Sequence, residues 1–267
     1  MQKENKALQK DTEDYIKETN PDEDDFYVNM NQEEMDRNNY YLEHDIQPQN
    51  YGAWQFTSDN AGLLSVVSLL TIIVAAGTVA NEFRWGTIKL LLIRPISRSV
   101  ILLSKYVSVL LFALITLVFV LALSLISGGM FFGFEDSLQT VVTSHGELQQ
   151  TSLVTETLSS YGYQIVNLIM MTTFAFMISV LFRNSALAIG IAIFLMLSGN
   201  SIVGFFQDRA WAKYILFANT DLQQYTTGSP LMEGMTMQFS ITVLIVYYII
   251  FIALSWIMFT KRDVAGF

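Results

Sequence analysis

The chain has 267 residues, of which 52% are hydrophobic and only 15% charged. Soluble domains carry about a quarter charged residues, so composition alone points to a membrane protein. Cysteine is absent, which excludes disulfides, thiolate metal sites and cysteine nucleophiles. The formal charge of −9 is concentrated at one end: residues 1–58 hold 14 acids against 5 bases, and residues 59–267 hold 10 of each.

Residues 1–45 read as extramembrane and partly helical, interrupted by NPDEDD at 20–25. Glu33 and Arg37 have the i, i+4 spacing of a helical ion pair. The apolar face is too weak to predict an independent domain. Asp22, Glu23, Asp24 and Asp25 lack EF-hand spacing and read as a solvated acidic loop. Trp54 and Phe56 fit an interfacial anchor ahead of the first apolar run. The expected division is therefore an acidic extracytoplasmic segment, 1–58, and a transmembrane domain, 59–267.

Five apolar runs follow, at 61–80, 106–126, 163–182, 186–206 and 239–260, each 20–22 residues long. A helix rises about 1.5 Å per residue, so each reaches across a hydrocarbon core of roughly 30 Å. The connections alternate in charge. Residues 81–105 carry five bases against Glu82, residues 127–162 carry four acids and no base, and Arg183, Lys261 and Arg262 follow the third and fifth runs. Bases stay on the cytoplasmic side, so 81–105, 183–185 and the C-terminus are expected inside. Five spans would then leave the acidic segment outside, which leads to the expectation of a further span upstream of Met1.

None of the runs contains Asp, Glu, Lys, Arg or His, so no intramembrane proton or ion relay is expected. Lys105, at the inner edge, is expected to snorkel to the interface. Asn167 and Asn200 are the notable intramembrane polar sites, read as interhelical packing contacts with substrate contact as the alternative. The spacings Ala186/Gly190 and Ala188/Ala192 give the fourth run a small-residue surface, for contact within one subunit or between two. Gly199 and Gly204 would soften its outer end. His44 and His145 stand apart without HExxH, and GxxxxGK[ST] is absent. No catalytic, metal or cofactor site, and no nucleic-acid partner, is expected of this chain.

The connection at 81–99, NEFRWGTIKLLLIRPISRS, asks for more than a topology signal. Bases alone hold a loop inside, but they do not call for Glu82, Gly86, Thr87, Pro95 and Ser97. A helix over 82–93 would place Glu82, Gly86 and Lys89 on one side, with Pro95 stopping it. The pattern E-x-R-x-G-T-I-K-x-L-L-x-x-P-I-S-R resembles the cytoplasmic signature of bacterial ABC-2 type transporter permeases. The segment KYILFANTDLQQYTTGSPLMEGMT at 213–236 is similar to their last outer loop, and FTKRDVAGF at 259–267 to their C-terminal close. The likeness extends over about residues 27–267.

That resemblance implies an all-α polytopic helix bundle of the ABC-2 permease type in a bacterial plasma membrane, with its first span lying before Met1. It also implies an exporter subunit that is not itself an enzyme: ATP is hydrolysed on a separate cytoplasmic ABC ATPase, and a second permease subunit completes a homo- or heterodimer. By the resemblance, Glu82, Arg84, Gly86, Thr87 and Lys89 form the core of an ATPase-coupling helix. Pro95, Ser97 and Arg98 set the re-entry, and Arg183 and Arg262 add cytoplasmic contacts. The alternative is a non-transporting membrane sensor or assembly protein that binds a partner through its acidic outer segment.

Overall fold

The computed structural model describes residues 1–19, 25–44, 46, 51–87, 96–134, 139–144, 147–228, 230–232 and 234–261. It opens with two helices, α1 (Gln2–Thr19) and α2 (Phe26–Glu43). Asp25 caps α2, its Oδ1 accepting from the amides of Tyr27 at 2.9 Å and Val28 at 3.3 Å. Polar contacts join the pair. Asn5 Nδ2 donates to Asn39 Oδ1 at 2.8 Å, Asn38 Nδ2 to Asn5 Oδ1 at 2.9 Å, and Asn31 Nδ2 to Thr12 Oγ1 at 2.9 Å. Thr12, Asn31 and Asn38 are buried. Paired amides and hydroxyls thus hold a helical hairpin that lacks an apolar stripe.

Five helices are long and apolar enough to cross a membrane: Ala53–Arg84, Arg98–Phe131, Leu153–Phe182, Ser185–Phe205 and Met237–Lys261. Each expected run falls inside one of them to within a residue. The first consists of α3 (Ala53–Asp59), a 3₁₀ turn at Asn60–Leu63 and α4 (Leu64–Arg84). The bundle therefore begins at Ala53 rather than at 59. Ala53 is buried against α5 (Arg98–Phe131), where a Cβ on Gly128 would stand 2.9 Å from the Ala53 backbone. With 34 residues, α5 is about 51 Å long and overreaches a hydrocarbon core at both ends.

The centre is α4 packed on α6 (Leu153–Phe182). Ala75, Ala76, Val79 and Ala80 of α4 are completely enclosed, facing Ala175, Phe176 and Val180. Small side chains let the two backbones approach, and Ser179 Oγ accepts from the amide of Ala80 at 3.0 Å. On α7 (Ser185–Phe205), Ala188 and Ala192 are buried in this same core, while Ala186 and Gly190 face outward. The tail helix α10 (Met237–Lys261) joins through Tyr106, whose hydroxyl meets Thr173 Oγ1 at 2.8 Å and Tyr248 OH at 3.2 Å. Ile115 and Phe119 on α5, Phe194 and Leu197 on α7, and Ile245 and Ile249 on α10 form an exposed apolar rim suited to lipid.

The chain is mostly helical, in keeping with the all-α expectation, and adds one small element of sheet. An antiparallel hairpin, β1 (Gln139–Ser144) and β2 (Glu147–Ser152), runs directly into α6, pairing Gln139 with Ser152 and Ser144 with Glu147. The Val141 amide donates to the buried Tyr41 hydroxyl at 3.1 Å, which ties the hairpin to α2. The ends of the spans sort onto two faces. One gathers Arg84, Arg98, Lys105, Arg183 and Lys261; the other carries α1, α2, the hairpin and the segment after α7.

Candidate functional site

On the base-rich face, α4 terminates where the sequence motif begins. The Trp85 amide donates to Asn81 O at 2.8 Å and the Gly86 amide to Phe83 O at 3.3 Å. Gly86 takes φ +71, a left-handed conformation that closes helices without a Cβ penalty. The chain then folds back, and the Thr87 hydroxyl donates to the Glu82 carboxylate. The same carboxylate accepts from Lys105 Nζ at 2.7 Å, and Lys105 also donates to Thr78 O at 3.3 Å. Both side chains are mostly enclosed, at 23% exposure for Glu82 and 17% for Lys105. Glu82, Thr87 and Lys105 thus form a clasp that holds the end of α4 against the start of α5.

Two expectations change here. Lys105 is ion-paired inside the fold rather than snorkelling freely, and a single helix over 82–93 does not form, because α4 ends at Arg84 and Gly86 turns the chain. Lys89, Pro95 and Arg262 lie outside the described residues. Ser97 caps α5, accepting from the Val100 amide at 3.4 Å, and Arg98 Nη1 donates to Thr260 O of α10 at 3.2 Å. Arg183 ends α6 in the left-handed region at φ 53, its guanidinium 4.3 Å above the Phe83 ring. Glu82, Thr87, Arg98 and Arg183 therefore fasten span ends to one another. Arg84 and Trp85 point away from the bundle, with Trp85 69% exposed. No spacing singles out Trp85; only the ending of α4 places it outside.

Near the opposite face, a cavity of about 410 Å³ lies between α4, α6, α7 and the segment 217–223, which begins within α8 (Leu216–Asn219), and it takes in both Asn167 and Asn200. Neither asparagine bridges helices as expected. Asn167 Nδ2 donates to Gln164 Oε1 at 3.1 Å within α6, and Asn200 has no hydrogen bond among the described residues. A wider groove of about 1200 Å³ lies on the same side between α2, the hairpin, α6 and α9 (Gln224–Thr227). Glu33, Asp36, Arg37 and Glu156 line it. Among the described residues no three metal-ligating side chains converge.

Comparison with known proteins places these features in a family. A family described as "Protein of unknown function (DUF2705)" matches residues 23–265. The chain belongs to the DUF2705 family. It is similar to the "Uncharacterized protein YhcI" of Bacillus subtilis (strain 168), with 44% identity over 234 residues, 86% of this chain and 75% of that protein. It is also similar to the "Uncharacterized membrane protein YdbK" of the same organism, with 35% identity over 212 residues, 78% of this chain and 82% of that one. No solved structure matches significantly. With five apolar helices and a relative named as a membrane protein, this DUF2705 member is a multi-pass membrane protein.

Proposed function

We propose that this chain is the transmembrane subunit of an ATP-binding cassette exporter of the ABC-2 type, with its base-rich face in the cytoplasm. The observation that carries the reading is the clasped turn: Glu82, Thr87 and Lys105 fix the α4 end, while Arg84 and Trp85 are exposed beside it. An arginine next to a solvent-facing indole on a braced turn is the chemistry of a protein-docking point. The resemblance of the motif to permease coupling segments supplies the partner, an ABC ATPase that binds ATP itself. A second permease subunit completes the pathway.

The geometry supports a mechanical route. The helix that ends in the clasp starts at Leu64, beside the cavity, about 27 Å away along α4 at 1.5 Å per residue. The 3₁₀ turn at Asn60–Leu63 interrupts the span there and offers a hinge. ATP-dependent closure of the partner would bind one tilt of α4 more tightly than another. That difference in affinity is what shifts an inward-open population to an outward-open one.

The test is mild-detergent purification of the full chain from its native membrane, with the bound proteins identified. Recovery of a P-loop ATPase that disappears with Arg84→Glu supports the proposal. An ATPase bound equally by that variant, or none bound at all, contradicts it. A partner retained through residues 1–58 alone would favour the sensor reading.

A further inference from the structure

The cavity holding Asn167 and Asn200 gathers polar side chains, Ser160, Gln164 and Thr220 among them, at the end of spans that are otherwise apolar. Asn200 sits near the end of α7 beside Ser198, Gly199 and Ser201, is exposed, and its amide has no partner among the described residues. Asn167 leaves its carbonyl oxygen free and Gln164 its amide nitrogen. Amides that face an open, polar-lined space rather than a partner helix are left to bond water or a ligand. Two asparagines from separate helices opening on one space therefore indicate a wet or occupied site.

The walls are deliberately placed. Gly199 lacks the Cβ that would stand 2.3 Å from the Phe217 ring, so the ring lies directly on α7 and closes one side. Phe217 is held there by the buried Asn219, which donates to Lys213 O at 2.9 Å and Ile215 O at 2.8 Å and accepts from Ser240 Oγ at 2.6 Å. The same brace sets Asp221 on the cavity rim. Its Oδ1 accepts from the Gln223 amide at 3.0 Å, and no cation pairs with it among the described residues. No lysine, arginine or histidine lines the space, while the partly exposed Tyr163, Met196 and Phe217 give it an apolar wall. Methionines adapt to varied shapes.

We infer that this cavity is a binding site for a cationic amphiphile, a primary ammonium or guanidinium group carried on an apolar body. The cation pairs with Asp221, its N–H groups donate to the oxygens of Asn167 and Asn200, and the apolar part lies along Tyr163, Met196 and Phe217. The site is argued from the cavity alone and stands whether or not an ATPase binds. Only its role as the cargo site rests on the permease reading.

Because the chain has no cysteine, Asn200→Cys gives a single thiol in the full protein. Its labelling by a cationic methanethiosulfonate (ethyltrimethylammonium) and an anionic one (ethylsulfonate) is measured in native membranes. The cation-to-anion rate ratio should exceed that of free cysteine by roughly fivefold, from one nearby unpaired carboxylate. Asp221→Asn should return it to the free-thiol value, and dodecylammonium should slow labelling where dodecanol does not. Asn167→Cys gives the same reading from α6 should the first variant fail to reach the membrane. A ratio indifferent to Asp221→Asn, no protection by dodecylammonium, or labelling no faster than at Leu197→Cys on the lipid-facing side of α7 overturns the assignment.

Discussion

Lys105 Nζ stands 2.7 Å from Glu82 Oε1, joining the last turn of α4 to the second turn of α5. The pair is nearly enclosed and shares Glu82 with Thr87, so neither charge is free to leave its partner cheaply. Replacing one member strands the other. Glu82→Gln or Lys105→Met alone should cost about 1–3 kcal/mol of stability, and the double variant should cost less than the sum. Thermal unfolding in detergent measures this cycle; strict additivity would show that the pair contributes no coupling. For the same reason Glu82 is a poor probe of partner docking, and Arg84 is the better one.

Gly86 tests how the turn is built. A Cβ there meets nothing within 4 Å among the described residues, and its φ of +71 is what resists substitution. Gly86→Ala should cost about 1–2 kcal/mol, and Gly86→Asn less, because asparagine tolerates the left-handed region. Equal losses for the two variants would mean that something other than backbone conformation is at stake.

Gly199 tests the wall of the cavity. Adding a methyl group drives Cβ into the Phe217 ring, 2.3 Å away. Gly199→Ala should destabilise by about 1–3 kcal/mol, the usual cost of overpacking. Combining it with Phe217→Ala should remove that added cost, since the ring no longer competes for the space. A double variant worse than both singles together would contradict the contact.

Asn219 tests the brace behind the wall. Asn219→Ala takes the side-chain donor from Lys213 O, while Ser240 keeps the Tyr225 hydroxyl and Ile215 O keeps the Ala218 amide, so the loss should be about 1–3 kcal/mol. The loss should loosen the stretch around Lys213, making tryptic cleavage after Arg209 and Lys213 faster while the spans stay intact. Unchanged cleavage would separate the brace from the stability of this segment.

What the sequence made legible follows from physical scale. Long uncharged runs fix the five spans, because nothing else satisfies a backbone in hydrocarbon. Their polar extensions escape a hydropathy window: α5 continues through Arg98 and Lys105 because an ion pair and a carbonyl contact hold those ends. The α1–α2 pair is held by asparagines, and the hairpin TVVTS/ELQQTS is mostly polar, so neither shows the periodicity of an apolar face. Glu82 stood out in the sequence, but its partner lies 23 residues on and is chosen by the fold. Asn167 and Asn200 stood out too; only the docking of residues 217–223 reveals that they share a cavity.

The most direct test of the central claim uses a photo-crosslinking amino acid at position 85, the exposed residue beside the clasp, in the full chain in native membranes. The permease account predicts crosslinks to a P-loop ATPase that are lost with Arg84→Glu and absent when the probe stands at Met30 on the opposite face. Crosslinks from position 85 to lipid alone, or ATPase captured from position 30 instead, would contradict it.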